Sequence, residues 1–184
     1  VIHEFFTNSA AGVIRKGVSV ALPLSSAGLG SRTVINEIIE KLAQSGMPGR
    51  LLHFVIHADA LMREESSIGD GLAKLRQAGC RLIISHIGRD LEIFNHLMPQ
   101  MADYVLLEPE LVTNVHGNLM DEMMVTIVQG HAQRLGMKSI AGPTNQPMMM
   151  DTLSGIGIDY IYGDTISQAQ PLDLMLNTSY FAIN

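Results

Sequence analysis

LLHFVIHADALMREESSIGDGLAKLRQAGCRLIIS (51–85) is the stretch whose reading decides the fold. It opens on an apolar run, LLHFVIH (51–57), too short for a helix and without strict alternation. It then carries Ile68, Leu72 and Leu75 on one helical stripe that Gly79 closes, and it ends on a second apolar run, CRLIIS (80–85). Strands that are apolar throughout are those of a parallel sheet covered by helices. The stretch therefore reads as strand, crossover helix and parallel strand.

The same alternation extends in both directions. VSVALPL (18–24) reads as a strand, and Ser31 can cap a helix that places Ile35, Ile38, Ile39 and Leu42 on one face before Gly46 and Pro48 end it. GLGS (28–31) reads as a plain strand-to-helix turn. After CRLIIS, a short helix is expected around Leu91 to Leu97 and a strand at DYVLL (103–107). The longest helix is predicted from about Asn118 to Leu135, with Met120, Met123, Met124, Ile127 and Val128 inward and Gly136 at its end. MKSIA (137–141), a helix around Met148 to Leu153, the strand IDYIY (158–162) and a last short helix from Pro171 complete the order. Repeated strand–helix units make either an open doubly wound sheet or a barrel, and six fall short of a closed eight-stranded barrel. The chain starts at Val1 inside what reads as a helix, so it is expected to be a piece of something longer.

Composition narrows the function classes. Of 184 residues, 47% are hydrophobic and 16% charged, a balance that folds rather than stays disordered. The net charge is −6 and the 12 Lys and Arg residues are scattered, which argues against a broad nucleic-acid surface. The single cysteine, Cys80, excludes a disulfide framework, suits a cytoplasmic setting and reads as a buried thiol inside an apolar run. No apolar run has the length of a membrane span. The 12 methionines suit an adaptable contact surface or core filling; core filling is preferred for most, but Met148 to Met150 cannot all face inward.

No GxxxxGK[ST], GxGxxG, CxxC or HExxH motif occurs, and no serine or cysteine sits in a nucleophile elbow. Barrel folds keep their chemistry at the C-terminal ends of the strands. Those ends are Leu24 and Ser25, His57, Ser85 and His86, Glu108, Gly142, and Tyr162. His57, His86 and Glu108 are of types that can hold a divalent ion. The plainer reading, three polar strand-end residues facing water or a loop, is preferred because their spacing fixes no geometry. They stand as candidate ligand-binding residues, with no catalytic residue and no metal or other cofactor expected.

Five stretches carry a family resemblance. GVSVALPLSS…IIEKLAQSGMPGRLLHFVIHADALM (17–62), AGCRLIISHIG (78–88), ADYVLLEPELVTNV (102–115), HAQRLGMKSIAGPTNQ (131–146) and IGIDYIYGDTISQAQPLD (156–173) resemble, in order and in register, the segments of EAL-type cyclic-di-GMP phosphodiesterases. The resemblance implies a TIM-like (β/α) barrel of EAL type spanning residues 1–184 as the C-terminal part of one domain. Its first strand and helix, which bear the motif that names the family, are missing at the N-terminus.

The family's functional positions are then compared one by one. The metal-binding Asn of its VNLS strand falls on Pro23, the metal-binding Glu of EITE on Val55 and the second Glu on Ala58. The two Asp of DDFG fall on Ser85 and His86, and the Lys and Asp of KID on Leu106 and Glu108. The Glu of AEG falls on Gly142, that of GVE on Asn145, and the Gln of QG on Tyr162. Gly88, Gly163 and Pro171 are retained. The resemblance therefore implies a degenerate, non-catalytic regulatory domain that binds a protein or, as the lesser expectation, cyclic di-GMP.

LEPELVTNV and GDTISQAQPLD further resemble degenerate EAL domains of the CsrD/MshH type. That narrower likeness implies an inner-membrane-anchored parent protein and a role with RNase E in decay of the small RNAs CsrB and CsrC. It also implies the glucose phosphotransferase IIA protein as partner. The alternatives are a phosphodiesterase with replaced metal ligands, or a cyclic-di-GMP receptor.

Overall fold

The computed structural model describes residues 2–62, 66–99 and 101–177. Helices α1 (Ile2–Asn8) and α2 (Ala10–Lys16) lead into strand β1 (Val20–Pro23), followed by α3 (Ser26–Gly30) and α4 (Arg32–Ser45). Strand β2 (Leu52–His57) precedes α5 (Asp59–Met62) and α6 (Ser66–Gln77), and β3 (Arg81–Ile87) precedes α7 (Ile93–His96). Strand β4 (Tyr104–Leu107) leads to α8 (Pro109–Thr113) and α9 (Leu119–Arg134). Strand β5 (Lys138–Ala141) leads to α10 (Pro147–Ile156), and β6 (Tyr160–Ile161) to α11 (Leu172–Asn177).

All six strands pair in parallel, in the order β1-β2-β3-β4-β5-β6. This order decides between the two architectures that the pattern alone left open. A doubly wound sheet reverses its strand order at a switch point. Here each strand is laid beside the last in one direction, which is how a barrel is wound, so the chain forms an arc of a TIM-like barrel. One face carries the core: Leu52, Phe54 and Ile56 are fully buried, and Leu82, Ile84, Val105 and Ala141 continue the layer. The alternate residues His53, Val55, Tyr104, Leu106 and Ile140 are only half-buried on the other face.

Each element begins and ends for local reasons. Ser31 accepts a hydrogen bond from Val34 N–H and caps α4, and Gly46 closes it in the left-handed region at φ 65°. Asn118 caps α9 by accepting from the N–H groups of Met120 and Asp121. The expected helix ends at Gly79 and Gly136 have positive φ of 83° and 71°.

A repeated dipeptide starts the strands. Asp103 precedes Tyr104, and its carboxylate accepts from Leu82 N–H at 2.9 Å while pairing with Arg76 and Arg81. Asp159 precedes Tyr160 and accepts from Ser139 N–H at 2.9 Å and Ser139 Oγ–H at 3.1 Å. Both clamp a new strand to its predecessor.

The structure corrects several expectations. The ends of VSVALPL and IDYIY lie outside the sheet, so β1 spans four residues and β6 two, whereas β3 runs two residues beyond Ser85, to Ile87. GLGS is no plain turn: Gly28 and Gly30 lie in α3, which Ser25 caps.

The largest correction concerns α9. Met120, Met123 and Ile127 are exposed and Met124 half-buried; only Val128 of the expected inward set is buried. The buried face is instead Asp121, Val125, Val128, Gln129 and Ala132. Of the two polar residues that face inward, Asp121 pairs with Arg89, and Gln129 donates Nε2–H to Gly157 O while its Oε1 has no hydrogen-bond partner among the described residues. Met149 is buried and Met148 exposed, as the mixed fate of that run requires.

Candidate functional site

The C-terminal ends of the parallel strands bring the sequence-derived positions together at one end of the arc. Register fixes which of them are neighbours. Pro23 stands opposite Val55, Val55 opposite Ile83, His57 opposite Ser85, and Leu106 opposite Ile140. The interior face toward this end is therefore lined by Pro23, Val55, Ile83, Leu106 and Ile140, none of which carries a side-chain oxygen.

Polar groups crown that apolar floor. The rings of His57 and His86 stack with centroids 3.9 Å apart and 27° between planes. His86 is held there by unusual backbone: it has φ 60°, and the β3–β4 register shifts between Ile84 and Ile87. Ser85, buried beneath it, donates its hydroxyl to Ile56 O at 3.3 Å, which leaves its oxygen to accept from His86 Nδ1–H at 3.1 Å. His57 Nδ1 accepts from Asp59 N–H at 3.2 Å and lies 3.5 Å from the Asp59 carboxylate. A neutral His57 ring keeps the first contact and a protonated one keeps the second, because one nitrogen cannot accept and donate at once. With these partners, neutral His57 presents Nε2–H as a donor and His86 presents Nε2 as an acceptor.

Glu108 follows β4 and its main chain donates to Ile87 O at 2.9 Å. Its carboxylate occupies the space where a Cβ on Gly88 would stand. On the far side, Thr144 is fully buried and ties two loops together: its N–H donates to Tyr162 O at 2.8 Å, and its own carbonyl accepts from Thr165 N–H at 3.2 Å. Gly163, at φ 143°, lies against the Thr144 backbone, and a side chain there would collide with it. Tyr162 is exposed, and burial of part of its ring raises its hydroxyl pKa.

Four participants escaped the sequence reading: Asp59, Arg89, Asp121 and Thr144. Arg89 and Asp121 are 32 positions apart and meet only in three dimensions. Asp59 opens α5 and Thr144 lies in the loop after β5, and the polarity of either alone carries no signal.

Residues of these types would have to supply hard oxygen donors to hold Mg²⁺ or Mn²⁺. Pro23, Val55 and Leu106 supply none, and Ser85 Oγ donates its hydrogen to Ile56 O and accepts from His86 Nδ1–H. Among the described residues, no three His, Cys, Asp or Glu side chains are grouped so as to hold a metal ion, and His57, His86 and Glu108 do not form such a group. The donor set does not fit the cation.

Comparison with known proteins places this geometry. A family model described as "EAL domain" matches residues 2–169. Over all 184 residues the chain is 59% identical to the probable diguanylate cyclase DgcE of Escherichia coli K12, spanning 16% of that protein. It is 24% identical over 153 residues, 83% of this chain and 18% of the relative, to the cyclic di-GMP phosphodiesterase PdeB of Shewanella oneidensis. Among solved structures, the EAL domain of Xanthomonas citri FimX in complex with cyclic di-GMP superposes with a TM-score of 0.81 at 18% identity, covering 98% of this chain and 69% of that one. The EAL domain of Mycobacterium smegmatis DcpA gives 0.83 at 17% identity, covering 95% of this chain and 78% of that one. The two curated relatives are several times longer than this chain, and the likeness to the solved structures concerns the fold.

Proposed function

Because this chain belongs to the EAL domain family, we propose that it is a regulatory EAL domain that has given up phosphodiester hydrolysis and acts by binding. The observation that carries this reading is the floor of the strand-end site. Pro23, Val55 and Leu106 stand where the resemblance expects an amide, a carboxylate and an ammonium group. Metal-activated water needs oxygen ligands, and developing negative charge on a phosphoryl group needs a positive partner. Arg89, which follows β3, is engaged by the buried Asp121.

The 59% identical relative is named a probable diguanylate cyclase, not a phosphodiesterase, and that name agrees with this reading. In this proposal the occupant is first a regulatory protein. The CsrD/MshH resemblance nominates the glucose phosphotransferase IIA protein, in an inner-membrane-anchored parent that acts in small-RNA turnover. Co-purification across phosphorylation states of that protein tests the nomination, and consistent failure removes it.

A receptor for cyclic di-GMP is the second reading, favoured by the His57–His86 stack. It offers a flat ring face with one donor and one acceptor to a planar, anionic ligand, and His57, His86 and Glu108 are its proposed binding residues. Hydrolysis of cyclic di-GMP by the full-length polypeptide, assayed with Mg²⁺ and with Mn²⁺, is expected to stay at the blank rate. Turnover that His86→Ala abolishes would overturn the non-catalytic reading. Calorimetry on the same polypeptide separates the two binding readings: micromolar binding lost in His57→Ala supports the receptor.

A further inference from the structure

The 12 Lys and Arg residues are scattered along the chain, yet the fold gathers three of them around one cavity. Arg76 lies near the end of α6, Arg81 opens β3 and Lys138 opens β5; with Asp103 and Tyr104 at the start of β4 they line a space of about 350 Å³. This cavity is at the N-terminal ends of the strands, the opposite end of the arc from His57 and His86. Its strands, β3, β4 and β5, lie inside the sheet order and none is an edge strand. Small-molecule sites occupy roughly 300–1,000 Å³, so the space suits a small ligand.

The charges around it do not balance. Asp103, with its side chain 12% exposed, is the one carboxylate among the lining residues, and it faces two guanidinium groups. Arg76 donates Nη1–H to it at 3.3 Å and to Met101 O at 3.4 Å, and Arg81 donates through its own Nη1. The Nε and Nη2 groups of both arginines have no hydrogen-bond partner among the described residues. Lys138 stands over the Tyr160 ring, 5.5 Å from its centroid, and makes no ion pair among the described residues. Asp159 does not line the cavity, and its carboxylate is turned to Ser139. Three cations and one carboxylate leave +2 on the lining, in a chain whose net charge is −6. The clamp between β3 and β4 explains Asp103, but it makes no use of Lys138. Like charges drawn together repel, and an anion bound among them relieves that repulsion.

We propose that this cavity binds a small phosphomonoester, with its phosphate among Arg76, Arg81 and Lys138 and its organic part against Tyr104. A phosphomonoester carries close to two negative charges at neutral pH, which matches the surplus on the lining. Guanidinium forks fit phosphate oxygens two at a time, and an ammonium group adds a compact charge. Asp103 already holds both guanidinium groups, so they lose little further freedom when a ligand arrives. The inference is independent of whether the strand-end site hydrolyses, binds a nucleotide or binds a protein.

Calorimetry of the full-length polypeptide with phenyl phosphate and with inorganic phosphate tests it. Phenyl phosphate is expected to bind, and inorganic phosphate to bind roughly tenfold more weakly because it leaves the Tyr104 side of the cavity unused. Lys138→Gln, an exposed change outside the strand clamp, is expected to weaken phenyl phosphate binding about tenfold, and Arg81→Gln at least as much. Arg32→Gln, which removes an exposed cation from the start of α4, should leave it unchanged. Phenyl phosphate should also slow acetylation of Lys138, followed by mass spectrometry. Equal affinity for the two anions would overturn the ester and assign the cavity to free phosphate. Binding that neither Lys138→Gln nor Arg81→Gln weakens, or an absence of heat together with unprotected Lys138, would overturn the site itself.

Discussion

At the scale of single residues, two imidazoles show how placement decides chemistry. His86 reaches its stacking position over His57 only because β3 shifts register and the residue takes φ 60°. His53, two strand positions deeper on the same face as Val55 and His57, is under a different constraint. Its ring stacks on Tyr104 at 5.4 Å, and its Nε2 lies 3.1 Å from Arg50 O. Burial lowers its pKa below the ordinary histidine value, outweighing the Arg50 carbonyl and Asp103 that pull it up. The unfolded chain therefore takes up a proton that the folded chain rejects. The contribution of His53 to stability is complete above about pH 6.5 and is lost as pH falls through the folded value. Urea midpoints measured between pH 7.5 and pH 5 should fall more steeply for the wild type than for His53→Phe; parallel slopes would refute this. Cys80 shows the opposite sign, its thiol pushed up to about 11 by burial, in keeping with the inert thiol read from CRLIIS.

At the scale of elements, the helix glycines divide by what surrounds them. Gly71 sits in the middle of α6, buried, and a Cβ there would run into the carbonyl of Leu29 in α3. Backbone cannot move aside as a flexible side chain can. Gly71→Ala should therefore destabilise by about 2 kcal/mol despite alanine's better helix propensity. Gly130, in α9, has open space around it. Gly130→Ala should stabilise the protein by about 0.5–1 kcal/mol. Chemical denaturation of both variants checks the pair, and changes of equal sign would show that local packing is not what distinguishes them. The same helix exposes the limit of periodicity. Its sequence supports two apolar faces, and Met120, Met123 and Ile127 look as suited to a core as Val125, Val128 and Ala132. What turned α9 was Arg89 reaching Asp121 and the Gly157 carbonyl reaching Gln129.

At the scale of the whole molecule, the arc depends on strand-to-strand clamps at the ends opposite the site. Asp103 joins the start of β4 to Leu82 N–H in β3 and gathers Arg76 and Arg81. Its loss leaves two arginines facing each other without a carboxylate between them. Asp103→Ala should cost about 2 kcal/mol, more than Asp159→Ala, whose clamp to Ser139 holds no ion pair. Urea unfolding of the two variants tests the order. A larger loss for Asp159→Ala would show that the β5–β6 join, not the β3–β4 join, limits the fold.

The sequence by itself determined the parallel strand–helix alternation, because apolar runs and 3.6-residue stripes report burial along one element at a time. It also determined that Pro23, Val55 and Leu106 bring no side-chain oxygen to the strand ends, because a side chain without oxygen lacks it in any fold. Only the tertiary structure decided between a doubly wound sheet and a barrel arc, since strand order is a relation among six segments and no one of them encodes it. Only the tertiary structure stacked His57 on His86, hid Asp121 behind Arg89 and turned the methionines of α9 outward. Each of these depends on a partner distant in the chain, and the energy of a buried polar group depends on whether that partner arrives.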